Sequence, residues 1–379
     1  MANKVGVPSH HIGFLDHFAD LEDPRQINKS LYPLQEVLLQ VLCAVLSGAD
    51  DWVAIALYGE KKLDFLRRFL PYENGTPSHD QLGYLFARID EKRFQQCFIN
   101  WVTCLRQALK GVVAIDGKTL RRSFDATGKK GAIHMVSAWC SEQNLVLGQV
   151  KVDEKSNEIT AIPELLDLLQ IHGAIVTIDA MGCQRDIARR IIEKKADYIF
   201  SLKGNQGTLR DDVELFFEEQ IKVDFADTTV TCHEAIEKSH GRIEVRKVTV
   251  CTDIEWLQQL HDWPGLASIV MVEYTAEGNG KTRREVRFFI SSLRVEAEAM
   301  AAYIRDHWGV ENGLHWVMDM VFRDDECRIR KDSAPANFAV VKHMVSNILR
   351  SSKGKQSMRQ KRHAAAWDDD FLFDMITAK

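Results

Sequence analysis

The chain has 379 residues, 45% of them hydrophobic and 27% charged, and a formal net charge of -5. These proportions describe an ordinary globular protein of two or three domains at about 150 residues each, and they exclude collagen-like, coiled-coil and low-complexity classes. The apolar stretch from Val37 to Leu46 is interrupted by Gln40 and closed by Ser47, Gly48, Ala49 and Asp50, short of the roughly 20 residues a membrane span requires. The opening MANKVGVPSHH lacks the apolar centre of a secretory signal, so a cytoplasmic location with no membrane contact is expected. Eight cysteines without a single CxxC pair argue against a zinc ribbon or a dithiol redox motif.

Taken in chain order, LQEVLLQVLCAVL, YGEKKLDFLRRFL and EKRFQQCFINWVTCLRQAL repeat apolar residues at spacings of three and four. That period predicts an all-helical N-terminal domain over residues 1–110, with Ser78 or Asp80 capping one of its helices. After Gly111 the texture changes. VVAID, AIHMVSAWC and NLVLGQVKV read as three strands, IPELLDLLQIHG as a helix closed by Gly173, AIVTID as a buried strand, CQRDIARRIIEKKA as a helix, and DYIFSLKGNQ as a strand and loop. The order βββαβαβ opens an α/β domain expected over 111–350. A helix at 207–220 follows, then a β-rich insertion at about 221–294, then a helical pattern from about 296 that contains DHWGVENGLHWVMDM. Residues 351–379 read as a tail, first basic and then acidic.

Charge is unevenly spread. Residues 1–95 carry 10 Lys and Arg against 13 Asp and Glu, whereas residues 321–363 carry 11 against 4. No carboxylate occurs between Lys342 and His363, and Lys353, Lys355, Lys361 and Arg362 are candidate phosphate contacts within that run. In the N-terminal region Lys61, Lys62, Arg67 and Arg68 form a local basic group that suits DNA recognition or assembly.

Two aspartates share one positional logic. Asp116 ends VVAID and Asp179 ends IVTID, each at the carboxyl end of a hydrophobic strand, where α/β sheets gather their ligands. A third carboxylate, Glu311, shares a helical face with Trp308, His315 and Met318 and is flanked by Gly309 and Gly313, each costing a helix interior about 1 kcal/mol against Ala. Two strand-end aspartates and a helical glutamate make a hard-oxygen set suited to Mg²⁺ or Mn²⁺ rather than zinc. Lys118, Arg121 and Arg122 follow the first aspartate closely enough to meet phosphates, and Lys203, Asn205 and Gln206 occupy the loop after a strand expected beside Asp179. His315 and Asp319 are candidates for supporting the metal ligands.

The blocks VVAIDGKTLRRS, TIDAMGCQRDIARRI, DYIFSLKGNQ, HWGVENGLHWVMDMVFRDDECRIR and NFAVVKHMVSNILR, together with HFADLEDPR and SHDQLGYLFARID, resemble the successive signatures of the H-repeat-associated proteins, DDE transposases of the ISAs-type insertion sequences. The resemblance covers nearly the whole chain. It implies an RNase H-like catalytic domain with a β-rich insertion, in which Asp116, Asp179 and Glu311 match the DDE triad. It further implies a two-metal site, double-stranded DNA as partner in the form of inverted-repeat element ends and target, and a homo-oligomer on DNA. Arg305, six residues before Glu311, resembles the arginine of a tyrosine, arginine, glutamate, lysine signature, whose lysine has no counterpart here. Competing readings are an RNase H-like nuclease that only hydrolyses, a DNA-binding descendant without catalysis, and a phosphohydrolase acting on small substrates. The last leaves the basic segment and the helical face around Trp308 unexplained.

Overall fold

The computed structural model describes residues 12–26, 30–105, 109, 111–124, 131–153, 156–239, 242–278 and 281–378. The opening MANKVGVPSHH and the expected boundary at residue 110 lie outside them. The first six elements are helices: α1 (Gly13–His17), α2 (Leu34–Leu46), α3 (Trp52–Lys61), α4 (Leu63–Leu66), α5 (His79–Phe86) and α6 (Glu91–Leu105). Ser78 caps α5 in a reciprocal box with Gln81. Asp51 caps α3, which therefore starts before the YGEKKLDFLRRFL pattern and breaks at Lys62 inside it. Among the described residues, no helix is long and apolar enough to cross a membrane.

The remaining elements are β1 (Val112–Thr119), β2 (His134–Cys140), β3 (Leu145–Lys151), α7 (Glu158–Leu168), β4 (Ile175–Ile178), α8 (Arg185–Glu193), β5 (Asp197–Leu202), α9 (Gly207–Lys222), β6 (Val230–Ser239), β7 (Arg242–Cys251), α10 (Glu255–His261), β8 (Ser268–Gly278), β9 (Lys281–Ser291), α11 (Ala297–His307), α12 (Trp316–Met320), α13 (Ala334–Ser351), α14 (Met358–Trp367) and α15 (Asp369–Thr377). The nine strands form one mixed sheet in the order β3-β2-β1-β4-β5-β9-β8-β7-β6. β1, β4 and β5 run parallel, and β2 and β3 extend the sheet antiparallel from β1. The insertion is a four-stranded meander whose last strand, β9, hydrogen-bonds to β5, so it lengthens the central sheet. Helix α10 within it was not foreseen in the sequence, where seven residues between strong strands carry little periodic signal.

Strand alternation assigns the two faces of the sheet. Val112, Ile175 and Ile199 pack with Val248, Val250, Val270 and Val272 beneath Ala297 and Met300 of α11. Val113, Val176 and Phe200 turn the other way, into the main core. That main core is continuous from Phe14 and Leu42 in the N-terminal helices through the sheet to Leu372 in α15.

The C-terminal segment departs from the expected solvated tail. Helix α13 is buried along most of its length, and α14 and α15 follow it onto the N-terminal helices. Lys361 and Arg362 are corrected as phosphate contacts. Both are buried: the Lys361 ammonium donates to the carbonyls of Leu349 and Ser352. The Arg362 guanidinium donates to Val45 O, pairs with Asp50 at 2.8 Å and lies over Phe322. Long cationic side chains here donate to backbone carbonyls at helix ends. Lys353 and Lys355 remain exposed. The acidic end of the chain meets the basic N-terminal group, with Lys62 2.6 Å from Asp369 and Arg68 3.4 Å from Asp370.

Candidate active site

Asp116 stands where the pairing of β1 with β4 ends, one residue past Ile115↔Ile178, while β1 continues to Thr119 against β2. Asp179 is the next residue after β4, so the register puts the two aspartates side by side at the parting of two parallel strands, a crevice typical of α/β ligand sites. Parity places them on the face that α11 covers. His307, at the end of α11, hydrogen-bonds Thr177 Oγ1 at 2.9 Å and pins the helix two residues before Asp179. Nothing in the pattern of the sequence singled out His307.

Beyond α11 the chain does not continue as one regular helix. Glu311–His315 forms a π turn between α11 and α12, a form that recurs as single turns at functional sites. Its wider turn brings residues four apart closer to alignment along the axis, and Glu311 and His315 both face Asp116. His315 Nδ1 lies 3.6 Å from Asp116 Oδ2 and 3.7 Å from Glu311 Oε2. Asp116, Glu311 and His315 offer donor atoms all within 4.8 Å of one another. Asp179 lines the same cavity of about 520 Å³ with Asp116 and Glu311, and β9 of the insertion supplies the opposite wall through Glu285 and Arg287. Arg287 lies over the half-exposed ring of Trp308.

The glycines flanking Glu311 have a physical reason. A Cβ on Gly313 would stand 2.8 Å from Trp139 Cζ2, and one on Gly309 would stand 3.0 Å from Ser141 Oγ. Arg350 of α13 lies over the Trp139 ring and donates to the Gly313 carbonyl, while Ser141 Oγ donates to Asp306 O. Arg350, read in the sequence as part of the phosphate-facing run, instead grips the π turn from behind. Gly313→Ala is expected to displace that turn. Overpacking of this kind costs about 1–3 kcal/mol, and misplacing a reacting group by ~1 Å costs about 100-fold in rate. A variant that keeps the wild-type melting temperature and the wild-type position of Glu311 in a crystal structure would contradict this reading of the glycine.

Electrostatically the site is crowded with negative charge. Burial, outweighing the Gly117 N–H bond to Asp116 and reinforced by Glu311, Glu158 and Asp179, pushes the Asp116 carboxyl up to about 7. Glu158 is held by His134 at 2.6 Å, and His134 in turn meets Thr119 Oγ1 at 2.9 Å. Burial, with Lys118 adding to it, holds His315 below the usual imidazole range, so its ring is neutral at pH 7. A carboxyl raised this far by burial and by its acidic neighbours marks a site short of positive charge, and a donor set of carboxylates and an imidazole suits a divalent cation.

The predicted phosphate contacts divide. Lys118 is mostly buried and held by Asp319 at 2.5 Å, with Asp324 at 3.7 Å. It ties β1 to α12 and is corrected as a free phosphate contact, because two carboxylates already claim its charge. Asp319 accordingly bonds to Lys118. Asn205 donates to Ala180 O at 2.6 Å, steadying the loop after Asp179. Arg305 pairs with Glu237 of β6 at 2.9 Å. Lys203 and Arg122 are exposed, Lys203 lines the cavity, and the largely exposed Arg121 lies 3.5 Å from Asp325.

Two family models match the chain: the "DDE_Tnp_1-associated" model over residues 15–102 and the "Transposase DDE domain" model over residues 107–348. The chain belongs to the DDE transposase family. Full-length relatives agree with the H-repeat-associated resemblance. The chain is 43% identical to the "H repeat-associated putative transposase YhhI" of Escherichia coli strain K12, over 96% of this chain and 97% of that protein. It is 42% identical, with the same coverage, to the "Putative protein YbfL" of the same organism. Among solved structures, a piggyBac transposase synaptic complex with hairpin DNA aligns over 95% of this chain and 76% of that one, at 10% identity and a TM-score of 0.41. DDE transposases use divalent metal ions, and the donor set around Asp116 fits that requirement.

Proposed function

We propose that this DDE transposase cuts DNA at the ends of its own insertion element and joins the freed ends to target DNA, using an RNase H-like site built from Asp116, Asp179 and Glu311. The observation that carries the reading is the convergence of three carboxylates from two parallel strands and a π turn on one cavity, with Asp116 pushed up to about 7 by burial and by the neighbouring carboxylates. Mg²⁺ or Mn²⁺ ions held by these residues supply charge neutralisation and a more acidic water or 3'-hydroxyl nucleophile for in-line attack on a phosphodiester. The chain's own residues orient them. His307 and Arg350 fix the segment bearing Glu311, Gly117 N–H and Lys118 fix β1, and Lys203 and Arg287 offer cationic groups at the cavity. Double-stranded DNA carrying inverted repeats is the substrate, bound by a homo-oligomer.

The exposed cations Arg121, Arg122, Lys203, Lys353 and Lys355 are the phosphate contacts this reading retains. The test is cleavage and strand transfer on linear DNA bearing the element's ends, with Mg²⁺ or Mn²⁺. Full-length protein is expected to nick at the ends and to join a 3'-hydroxyl end to a plasmid, with Glu311→Gln inactive in both. Nicking without joining favours the hydrolytic nuclease, and end binding without nicking favours the non-catalytic descendant. Replacing Lys353 and Lys355 by Gln should weaken terminal and random DNA alike. The log-log salt slope should flatten by up to about 2 if each meets one phosphate, and an unchanged slope removes both from the DNA contact.

A further inference from the structure

The protein contains an internal standard for how its histidines meet carboxylates. His134 approaches Glu158 to 2.6 Å and His261 approaches Asp212 to 2.6 Å, ordinary hydrogen-bond lengths. His315 behaves differently. It is only 8% exposed, and its Nε2 is buried without a hydrogen-bond partner. Its Nδ1 stands back from two carboxylates at once, 3.6 Å from Asp116 and 3.7 Å from Glu311, about half an ångström beyond the range of a hydrogen bond to either. Two coordination bonds of about 2.1 Å span at most ~4.2 Å, so each of these separations is one that a single ion bridges.

The ring has little freedom to close that gap. Its backbone carbonyl is held by the Lys118 ammonium at 3.3 Å, and the same ammonium is anchored on Asp319. The π turn carries Glu311 and His315 together, so the imidazole is presented to Asp116 by the same local geometry that presents the glutamate. The two other pairs with largely buried histidines come within hydrogen-bond length, a distance this imidazole reaches from neither oxygen; the exposed His79 stands 3.5 Å from Asp80.

We infer that His315 is a direct ligand of one divalent ion shared with Asp116 and Glu311, through Nδ1, so that the site is a mixed oxygen and nitrogen site rather than a purely carboxylate one. This rests on the metal-binding reading above and deepens it. An imidazole donor weights the site away from Mg²⁺ and towards transition ions such as Mn²⁺.

The experiment is pulsed electron paramagnetic resonance on the full-length protein loaded with Mn²⁺, with ¹⁵N-histidine labelling, alongside calorimetric Mn²⁺ titration. The wild type is expected to show hyperfine coupling to a directly bound histidine nitrogen. His315→Asn should abolish that coupling and weaken binding at this ion by about tenfold or more, because even outer partners of metal ligands contribute that much. His261→Gln, altering a buried histidine of α10 outside the cavity, should retain the coupling. Bound Mn²⁺ without histidine nitrogen coupling in the wild type overturns the assignment and leaves the metal site intact. No Mn²⁺ binding in the wild type overturns both. Should His315→Asn fail to fold, His315→Gln, closer in size to the imidazole, is read in the same way.

Discussion

Asp116→Asn is expected to lose metal-dependent DNA cleavage by roughly 1,000-fold or more, as the two-metal geometry loses an oxygen ligand, while the metal-free protein becomes more stable at alkaline pH. The second half follows from charge. The Asp116 carboxyl is raised from its ordinary 3.8 to about 7 by burial and by Glu311, Glu158 and Asp179. Between those values the folded protein holds a proton that the unfolded chain releases. Stability therefore falls as pH rises from about 4 through 7, by on the order of 4 kcal/mol once the group is fully ionised. Asparagine escapes that cost. Its melting temperature should exceed the wild type's by about 5 °C or more at pH 8, and the difference should shrink towards pH 5. Added Mn²⁺ should raise the wild-type melting temperature and not the variant's, since binding to the folded state alone stabilises it. Equal melting temperatures at pH 8 without metal would show that the crowding is absent, and wild-type cleavage would remove Asp116 from the chemistry.

Lys342→Met is expected to destabilise the protein by about 3–5 kcal/mol, the cost of breaking a buried ion pair from one side. Lys342 is 1% exposed and its ammonium lies 2.7 Å from Asp324 Oδ1. Burial opposes the charge on Asp324, but Lys342 and Lys118 outweigh it and hold the carboxyl below its usual range. This contribution is present above the ordinary aspartate value and disappears as pH falls through the lowered one. Asp324 also faces Lys118 at 3.7 Å, and Lys118 joins β1 to α12 through Asp319. The lesion should therefore reach the segment that carries Asp116, lowering cleavage as well. Adding Asp324→Asn to Lys342→Met should recover much of the loss, because the orphaned charge is then gone. Chemical denaturation of the single and double variants checks this, and a single-variant loss under 1 kcal/mol would deny the pair its structural role.

Much of the architecture was legible before any coordinate. Alternation and apolar runs located β1 to β5, the spacing of three and four located α2, α6 and α8, and the polar turn before α5 offered Ser78 or Asp80 as its cap, of which the fold uses Ser78. These signals are local, and local periodicity reports which face of an element is buried. The two strand-end aspartates were legible for the same reason. A short hydrophobic strand that ends on a carboxylate is a pattern complete within five residues.

Tertiary structure decided what depends on partners distant in the chain. Glu311 and His315 read as members of an ordinary helix, and the π turn lies where Trp139, Ser141 and Arg350, far away in sequence, leave no room for a side chain at Gly309 or Gly313 or bond to the turn. The basic C-terminal run read as a phosphate-facing tail, yet Lys342, Lys361 and Arg362 are buried against Asp324, backbone carbonyls and Asp50. A count of charges registers sign and position along the chain, whereas whether a cation meets solvent or a buried acceptor is set by where the helices dock. The sequence by itself pointed to the family, the strands, many of the helices and the carboxylates. The tertiary structure decided which cations are free to face DNA and brought a buried imidazole to within 3.7 Å of two of those carboxylates, because burial and convergence are properties of the packed chain and not of any segment within it.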